Sequence, residues 1–393
     1  MTADGPHVGQ RIATYRRARR MTQVDLARSS FVSLAMIRAI ERGARSPSDE
    51  TLDSIASALA VDPSRLVATA GGRASTHILA ALPEISAVIA PYDIPMGPPS
   101  RSGREQADAV RQAVERRLSS QYKRLALAAP GLLDDGIRAF HASHEGERQT
   151  AVRQLVAVTR AVDAVAFKSG AHDLSARLIE LMRWACAQVE DPLLAATVAY
   201  VRTEIFFVAK AHLAGLRALE IAVDASPSPV DRGTAAARGA LHMRAAVIAG
   251  RTGNVAAADM HLKEALHLSD LTPEGIYDGT AFGPSSVRIH QVSVAVSLGP
   301  DHVSRALAVA EEWKPPRELP AERRSGFYIE LARAQLWAGR PEHAFESLKV
   351  ARATAPQHTR EHRWAREDVA TLRRLKRSSA DELTSFAEWI GAV

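Results

Sequence analysis

Cysteine is almost missing from this chain. Cys186 stands alone among 393 residues, which excludes an internal disulfide and any zinc or iron–sulfur site built from several thiolates. With no base suggested beside it, Cys186 reads as a small apolar residue near Trp184. Aromatic residues make up only 5%, and no run of alternating valine, isoleucine and threonine is long enough to announce a sheet. Long apolar stretches are missing as well. The one at 193–201 falls far short of a bilayer crossing, so no membrane partner is expected. The first ten residues show no basic stretch followed by an apolar run, which predicts no secretory leader and a cytoplasmic location. There is no Gly-x4-Gly-Lys-Ser/Thr phosphate loop, and neither a cofactor nor a metal is expected.

What is present is an ordinary globular balance, 46% apolar and 24% charged, at a length that predicts two or three domains. Alanine supplies much of the apolar set. Because it loses no side-chain entropy in a helix, the expected fold class is all-α. The net charge of +6 is unevenly placed. Between His7 and Arg45 nine arginines face two acids, Asp25 and Glu41, whereas the remainder from Ala74 is nearly balanced. A compact basic patch on one small module is the footprint of a phosphate-backbone binder; the competing reading is arginine bias on a solvated face.

Local signals resolve that module into five helices. Val8, Ile12 and Tyr15 share a face of the first. Thr22 caps a second that turns Leu26 and Ala27 inward, and Ser33 caps a third carrying Ile37 and Ile40 and ending at Gly43. Pro47, Ser48 and Asp49 open a fourth over 51–60, and Asp62-Pro63 a short fifth. The string Thr22-Gln23-x2-Leu26-Ala27-x4-Val32-Ser33-x3-Ile37-x2-Ile40-Glu41-Arg42-Gly43-x3-Pro47-x3-Thr51-Leu52-x2-Ile55-Ala56-x2-Leu59 resembles the lambda-repressor-like, XRE-type helix-turn-helix family, in register over roughly residues 8–69. Phe31 departs from it, standing where the family's turn usually has glycine.

The resemblance implies a double-stranded DNA operator as partner, read by a homodimer at two half-sites. It would lay the helix from Leu34 to Arg42 in the major groove, with Ser33, Leu34, Ala35, Arg38 and Ala39 near base edges. Leucine and alanine donate no hydrogen bond, so Arg38 is the candidate for reading guanine, or else a phosphate ligand. Gln23 would meet a phosphate, Arg42 and Arg45 would clamp the backbone, and Arg16 with Glu41 would form an internal ion pair. The alternative for the module is a helix-turn-helix that binds protein, as in a scaffold or adaptor.

These boundaries give a helix-turn-helix domain at 7–70. A glycine- and proline-rich linker follows at 71–103, with one helix inside it at 75–81 or 84–89. A long helical remainder fills 104–393. There Gly253-x4-Ala258-x3-Leu262-x2-Ala265 recurs as Gly339-x4-Ala344-x3-Leu348-x2-Ala351, each preceded by an apolar helix. Weaker copies fit 104–142, 148–189, 193–225 and 284–313, and 360–390 reads as a terminal cap. Six such hairpins resemble a tetratricopeptide-like α-solenoid, with a generic helical bundle as the alternative. A solenoid's concave groove would dimerise and sense a peptide, small-molecule or protein effector. In related peptide sensors asparagines clamp the backbone, but Asn254 is the single asparagine here.

One segment, 271–286, holds too many glycines and prolines for a helix and reads either as a ligand-contacting loop or as a surface insertion. With its surroundings it supplies the effector candidates Arg202, Arg244, Phe282, Ser285, Arg288 and Gln291. His358-Thr359-Arg360-Glu361-His362 matches a zinc-peptidase signature, H-x-x-E-H. Without a third ligand in context, and among basic neighbours, these histidines are expected to face solvent, and no enzyme activity is expected.

Overall fold

The computed structural model describes residues 8–45, 47–59, 61, 66, 76–375 and 381–392. The chain is all-α apart from one β-hairpin among the described residues. The N-terminal module contains α1 (Val8–Ala18), α2 (Gln23–Ser30), α3 (Leu34–Glu41) and α4 (Asp49–Ala58). Three of these begin on a hydroxyl that accepts from a backbone amide three residues on: Thr22 from Asp25, Ser33 from Met36 and Ser48 from Thr51. Asp25 returns a bond to the Thr22 amide and completes a capping box. Ile12, Leu26, Ile37, Ile40, Ile55, Leu59 and Leu66 close the module's own core. The start of the expected fifth helix lies outside the described residues.

The segment read as a linker is only partly one. It carries α5 (Thr76–Val88), which runs through Pro83 and takes in most of both stretches predicted as alternatives. Its apolar face, Ile78, Leu79, Leu82 and Ile85, is buried in the same core as the first repeats. The proline-rich stretch beyond it is pinned, since Ser100 donates to Asp135 at 2.7 and 2.8 Å through its amide and hydroxyl. Buried alternating leucines and isoleucines outweigh the breakers.

Six antiparallel hairpins follow. They are α6 (Gly103–Leu118) with α7 (Tyr122–Ala142), α8 (Glu145–Lys168) with α9 (His172–Cys186), and α10 (Pro192–Val208) with α11 (His212–Ala225). Then come α12 (Arg232–Arg251) with α13 (Val255–Asp270), α14 (Pro284–Leu298) with α15 (Val303–Glu312), and α16 (Ala321–Trp337) with α17 (Pro341–Thr354). The expected repeats are thus all formed, and each helix packs on its hairpin mate and on the next hairpin. Buried alanines such as Ala258, Ala265, Ala344 and Ala351 let mates approach closely. The cap comprises α18 (Pro356–Glu361), α19 (Arg363–Leu375) and α20 (Asp381–Ile390), closed by Phe386 and Ile390 against Leu348 and Leu372.

The breaker-rich segment is not an irregular loop. Strands β1 (Gly275–Tyr277) and β2 (Thr280–Phe282) pair antiparallel around a turn at Asp278-Gly279. Both turn residues have positive φ, 44° and 74°, the backbone that aspartate–glycine turns favour. Phe282 is fully buried, its ring seated where Gly239 of α12 carries no side chain. No described helix is long and apolar enough to cross a membrane.

Candidate nucleic-acid interface and repeat interior

The third helix is held by what lies behind it. Ile37 and Ile40 are buried, and α1 approaches so closely that a methyl group on Gly9 would lie 1.7 Å from the Ile40 carbonyl oxygen. Arg16 Nε and Nη2 donate to the two Glu41 carboxylate oxygens at 2.6 and 2.9 Å, and Arg16 Nη1 donates to the Met21 carbonyl at 2.8 Å. Gln23 Nε2 donates to Glu41 Oε2 at 2.7 Å. The carboxylate therefore ties α1, α2 and the end of α3 together. Burial pushes its pKa up, but the bonds from Arg16 and Gln23 outweigh burial and hold it below the ordinary value.

The opposite face of α3 is open. Ser33, Ala35 and Arg38 are exposed, Leu34 and Ala39 half-buried, and Arg42 and Arg45 exposed just beyond the helix. Arg38, Arg42 and Arg45 make no ion pair among the described residues, and Arg17, Arg20 and Arg28 add exposed cations nearby in the chain. Ser33 spends its hydroxyl on the cap, accepting from the Met36 amide at 3.2 Å. Gln23 is half-buried with its amide group turned to Glu41, which leaves its carbonyl oxygen and the first amides of α2 for an outside ligand. Phe31, in the turn, is 96% exposed with φ +55° and packs on nothing.

The effector candidates do not form one cluster. Arg244 lies 4.2 Å from the Tyr200 ring centre, while Arg202 stands over Phe206 and Arg288, exposed, over Trp313. Ser285 and Gln291 are half-buried, and Phe282 is a core residue anchoring the hairpin. Of the residues that do converge, sequence reasoning named Arg244 and missed the rest. Arg117 of α6, Arg160 of α8, Tyr200 of α10, Arg244 of α12 and Arg323 of α16 all belong to the first helix of a repeat and are linked in one interior network. Arg160 donates to the Asp278 carbonyl at 2.9 Å and to Thr280 Oγ1 at 2.8 Å, and Arg117 donates to the Gly279 carbonyl. Arg323 donates to the Tyr200 hydroxyl at 2.9 Å. Burial alone would push the Tyr200 phenol up, yet Arg244, Arg323 and Arg160 bring it down to about 8. The same positive field, on top of burial, lowers His290 to about 3. The available signal was an arginine on each of several otherwise apolar helices.

The H-x-x-E-H histidines were expected in solvent, and His358 is instead buried. Lys168 donates to its Nε2 at 3.2 Å and Ser325 Oγ sits 2.5 Å from its Nδ1, because the short helix α18 folds back against α16. An ammonium at a ring nitrogen opposes a cation there. No metal-binding group of histidines, cysteines and carboxylates occurs among the described residues.

Residues 12–66 match the family model described as helix-turn-helix. Over 60 residues, 15% of this chain, the sequence is 42% identical to the immunity repressor protein of Bacillus phage phi105, and the match spans 42% of that repressor's length. Among solved structures, the chain is similar to PlcR of Bacillus thuringiensis in complex with the peptide PapR7 and DNA, at 14% identity and a TM-score of 0.27, covering 67% of this chain and 95% of that one. It is also similar to the apo competence regulator ComR of Streptococcus vestibularis, at 12% identity and a TM-score of 0.31, covering 92% and 97%. The family that the sequence identifies is thus that of its front end: residues 12–66 are a helix-turn-helix domain.

Proposed function

We propose that the chain is a DNA-binding transcription regulator, in which the N-terminal module grips an operator and the helical array dimerises and answers to an effector. The observation that carries this reading is the open face of α3, where Arg38, with Arg42 and Arg45 just beyond the helix, stands exposed without an ion pair among the described residues, while Glu41 fixes the helix from behind. An exposed guanidinium without an acid partner is available to phosphate or to a guanine edge. In this reading Ser33, Leu34, Ala35, Arg38 and Ala39 meet the groove, while Gln23, Arg42 and Arg45 meet the backbone. The likeness of the module to an immunity repressor is in keeping with it.

Fluorescence anisotropy with labelled duplexes tests the proposal. Affinity should fall linearly on a log–log salt plot, with a slope near −0.9 per phosphate contact. Arg38→Ala should lose about 1–3 kcal/mol at the cognate site and little on random DNA, whereas Arg45→Ala should weaken all duplexes alike and flatten the salt slope. A chain that binds no duplex in dilute buffer overturns the reading. A scaffold that binds protein through the same module is favoured by one observation, the exposed Phe31. Binding that survives high salt would mark that alternative.

A further inference from the structure

The β-hairpin ends in a position that the rest of the interior is shaped around. Its base is anchored on both sides. Phe282 is seated against Gly239, and the Glu274 carboxylate accepts from the Ser286 amide at 2.9 Å and from the Ser286 hydroxyl at 2.6 Å. Its tip, Asp278-Gly279, reaches back to helices more than a hundred residues earlier in the chain. There two guanidiniums meet at one point. A methyl group placed on Gly279 would lie 3.2 Å from Arg160 Nη1 and 3.3 Å from Arg117 Nη2.

What the tip offers these cations is weak. Arg160 and Arg117 are both buried, yet neither has a carboxylate within ion-pair reach among the described residues. They are met by the carbonyls of Asp278 and Gly279 and the Thr280 hydroxyl. The Asp278 carboxylate itself goes to Arg153, at 3.1 Å and closer to the surface. Arg117 Nε, in a residue only 9% exposed, has no hydrogen-bond partner among the described residues. Glu204, Glu322 and the buried Asp163 of α8, whose carboxyl burial pushes up, supply negative charge only at longer range, and Arg244 and Arg323 add positive charge near Tyr200. Burying a cation without an anion is costly.

We propose that Arg117 and Arg160 form the floor of a site for a small oxyanion, a carboxylate or phosphate group, and that the hairpin tip is its built-in stand-in. The group would sit where Gly279 now lies and accept from both guanidiniums. Arg117 Nε would gain a partner, and the tip would swing outward on its anchored base. The enclosure favours a small ligand: Arg117, Arg160, Tyr200 and Phe282 are all buried, so the space freed is that of a two-residue turn. This gives the effector side of the proposed regulator a ligand chemistry, and it rests on that reading only for its consequence, not for its binding.

The competition with the tip sets the test. Isothermal titration of the full chain with inorganic phosphate, and separately with citrate at matched ionic strength, distinguishes the phosphate and carboxylate sources. Gly279→Ala keeps both arginines but strains a turn residue at φ +74° and crowds both guanidiniums, so it should weaken the tip and tighten anion binding about tenfold. Arg160→Gln should weaken binding at least tenfold, and Arg117→Gln does the same if the former folds poorly. Phosphate or citrate should also raise the Tyr200 phenol from about 8, seen as a shifted tyrosinate absorbance that Arg160→Gln abolishes. The proposal fails if neither anion binds the parent or Gly279→Ala, or if Arg160→Gln and Gly279→Ala bind alike. Intact duplex binding alongside that failure would leave the regulator reading standing.

Discussion

Phe31 stands where the turn between α2 and α3 needs a left-handed residue, and its side chain contributes nothing in return. Its φ of +55° and ψ of 25° place it in the left-handed well, where a Cβ crowds the following carbonyl at a cost of about 1–2 kcal/mol. At 96% exposure it has almost no burial to lose. Its amide bonds to the Ala27 and Arg28 carbonyls are made by the backbone and survive any substitution. Phe31→Gly therefore removes the steric cost and adds only the glycine's extra freedom when unfolded, about 0.5–1 kcal/mol. The difference is a net stabilisation of about 0.5–1 kcal/mol. Native-state hydrogen exchange on the full chain reads it locally: the amides of α2 and α3 should exchange about two- to fivefold more slowly. Phe31→Ala keeps the left-handed strain and should leave exchange unchanged. Faster exchange in Phe31→Gly would mean that the ring is packed on something, and the whole account of the turn would be wrong.

The Arg16–Glu41 pair gives an asymmetric prediction. Arg16→Ala strands a carboxylate that is 6% exposed and should cost about 3–5 kcal/mol, whereas Arg16→Met with Glu41→Leu should cost much less in denaturant melts. Because folding depresses the Glu41 pKa, its contribution is present above the ordinary 4.5 and is lost as pH falls through the lower folded value. Acid titration of module stability should therefore be flatter in Glu41→Gln. Gly9→Ala forces a methyl group to 1.7 Å from the Ile40 carbonyl and should lower stability by about 3 kcal/mol or more, with a matching loss of duplex binding as α3 shifts. His290 is neutral when folded, titrating near 3, so the unfolded chain takes up its proton first. Array stability should fall as pH drops from 6.5 toward 3, and His290→Gln should flatten that decline in thermal melts.

The helix-turn-helix was legible because each of its signals is local. Thr22, Ser33 and Ser48 cap helices within three residues of themselves, and Ile37 and Ile40 mark one face by spacing alone. Two of the six repeats were legible for the same reason, since a glycine turn followed by alanine at fixed spacing needs no knowledge of distant chain, and the other four carry only weaker copies of it. The hairpin at 275–282 was hidden: three-residue strands are too short to show alternation, and the glycines and prolines that suggested a loop are those a tight turn uses. The buried His358 was equally out of reach. Its neighbours Lys168 and Ser325 lie 190 and 33 residues away, and only the fold brings α18 against α16.

The interior arginines show why a site is harder to read than a fold. Arg16, Arg101, Arg153 and Arg333 each meet a carboxylate and tie neighbouring elements together. Arg117 and Arg160 donate, among the described residues, to carbonyls and a hydroxyl, with the Tyr200 ring 5.7 Å from Arg160. In sequence the two sets are indistinguishable, since nothing local marks which arginine will find a carboxylate. The structure separates them by where the negative charge for each cation lies. For the first set the answer is a partner in the fold. For the second it is a turn that arrives from more than a hundred residues away and brings dipoles in place of a charge. A cation kept buried on those terms adds little to stability, so a fold selected for stability alone would have filled these positions with leucine. Replacing both Arg117 and Arg160 with leucine should accordingly leave the melting temperature of the array unchanged or raise it, while removing any response to phosphate or citrate.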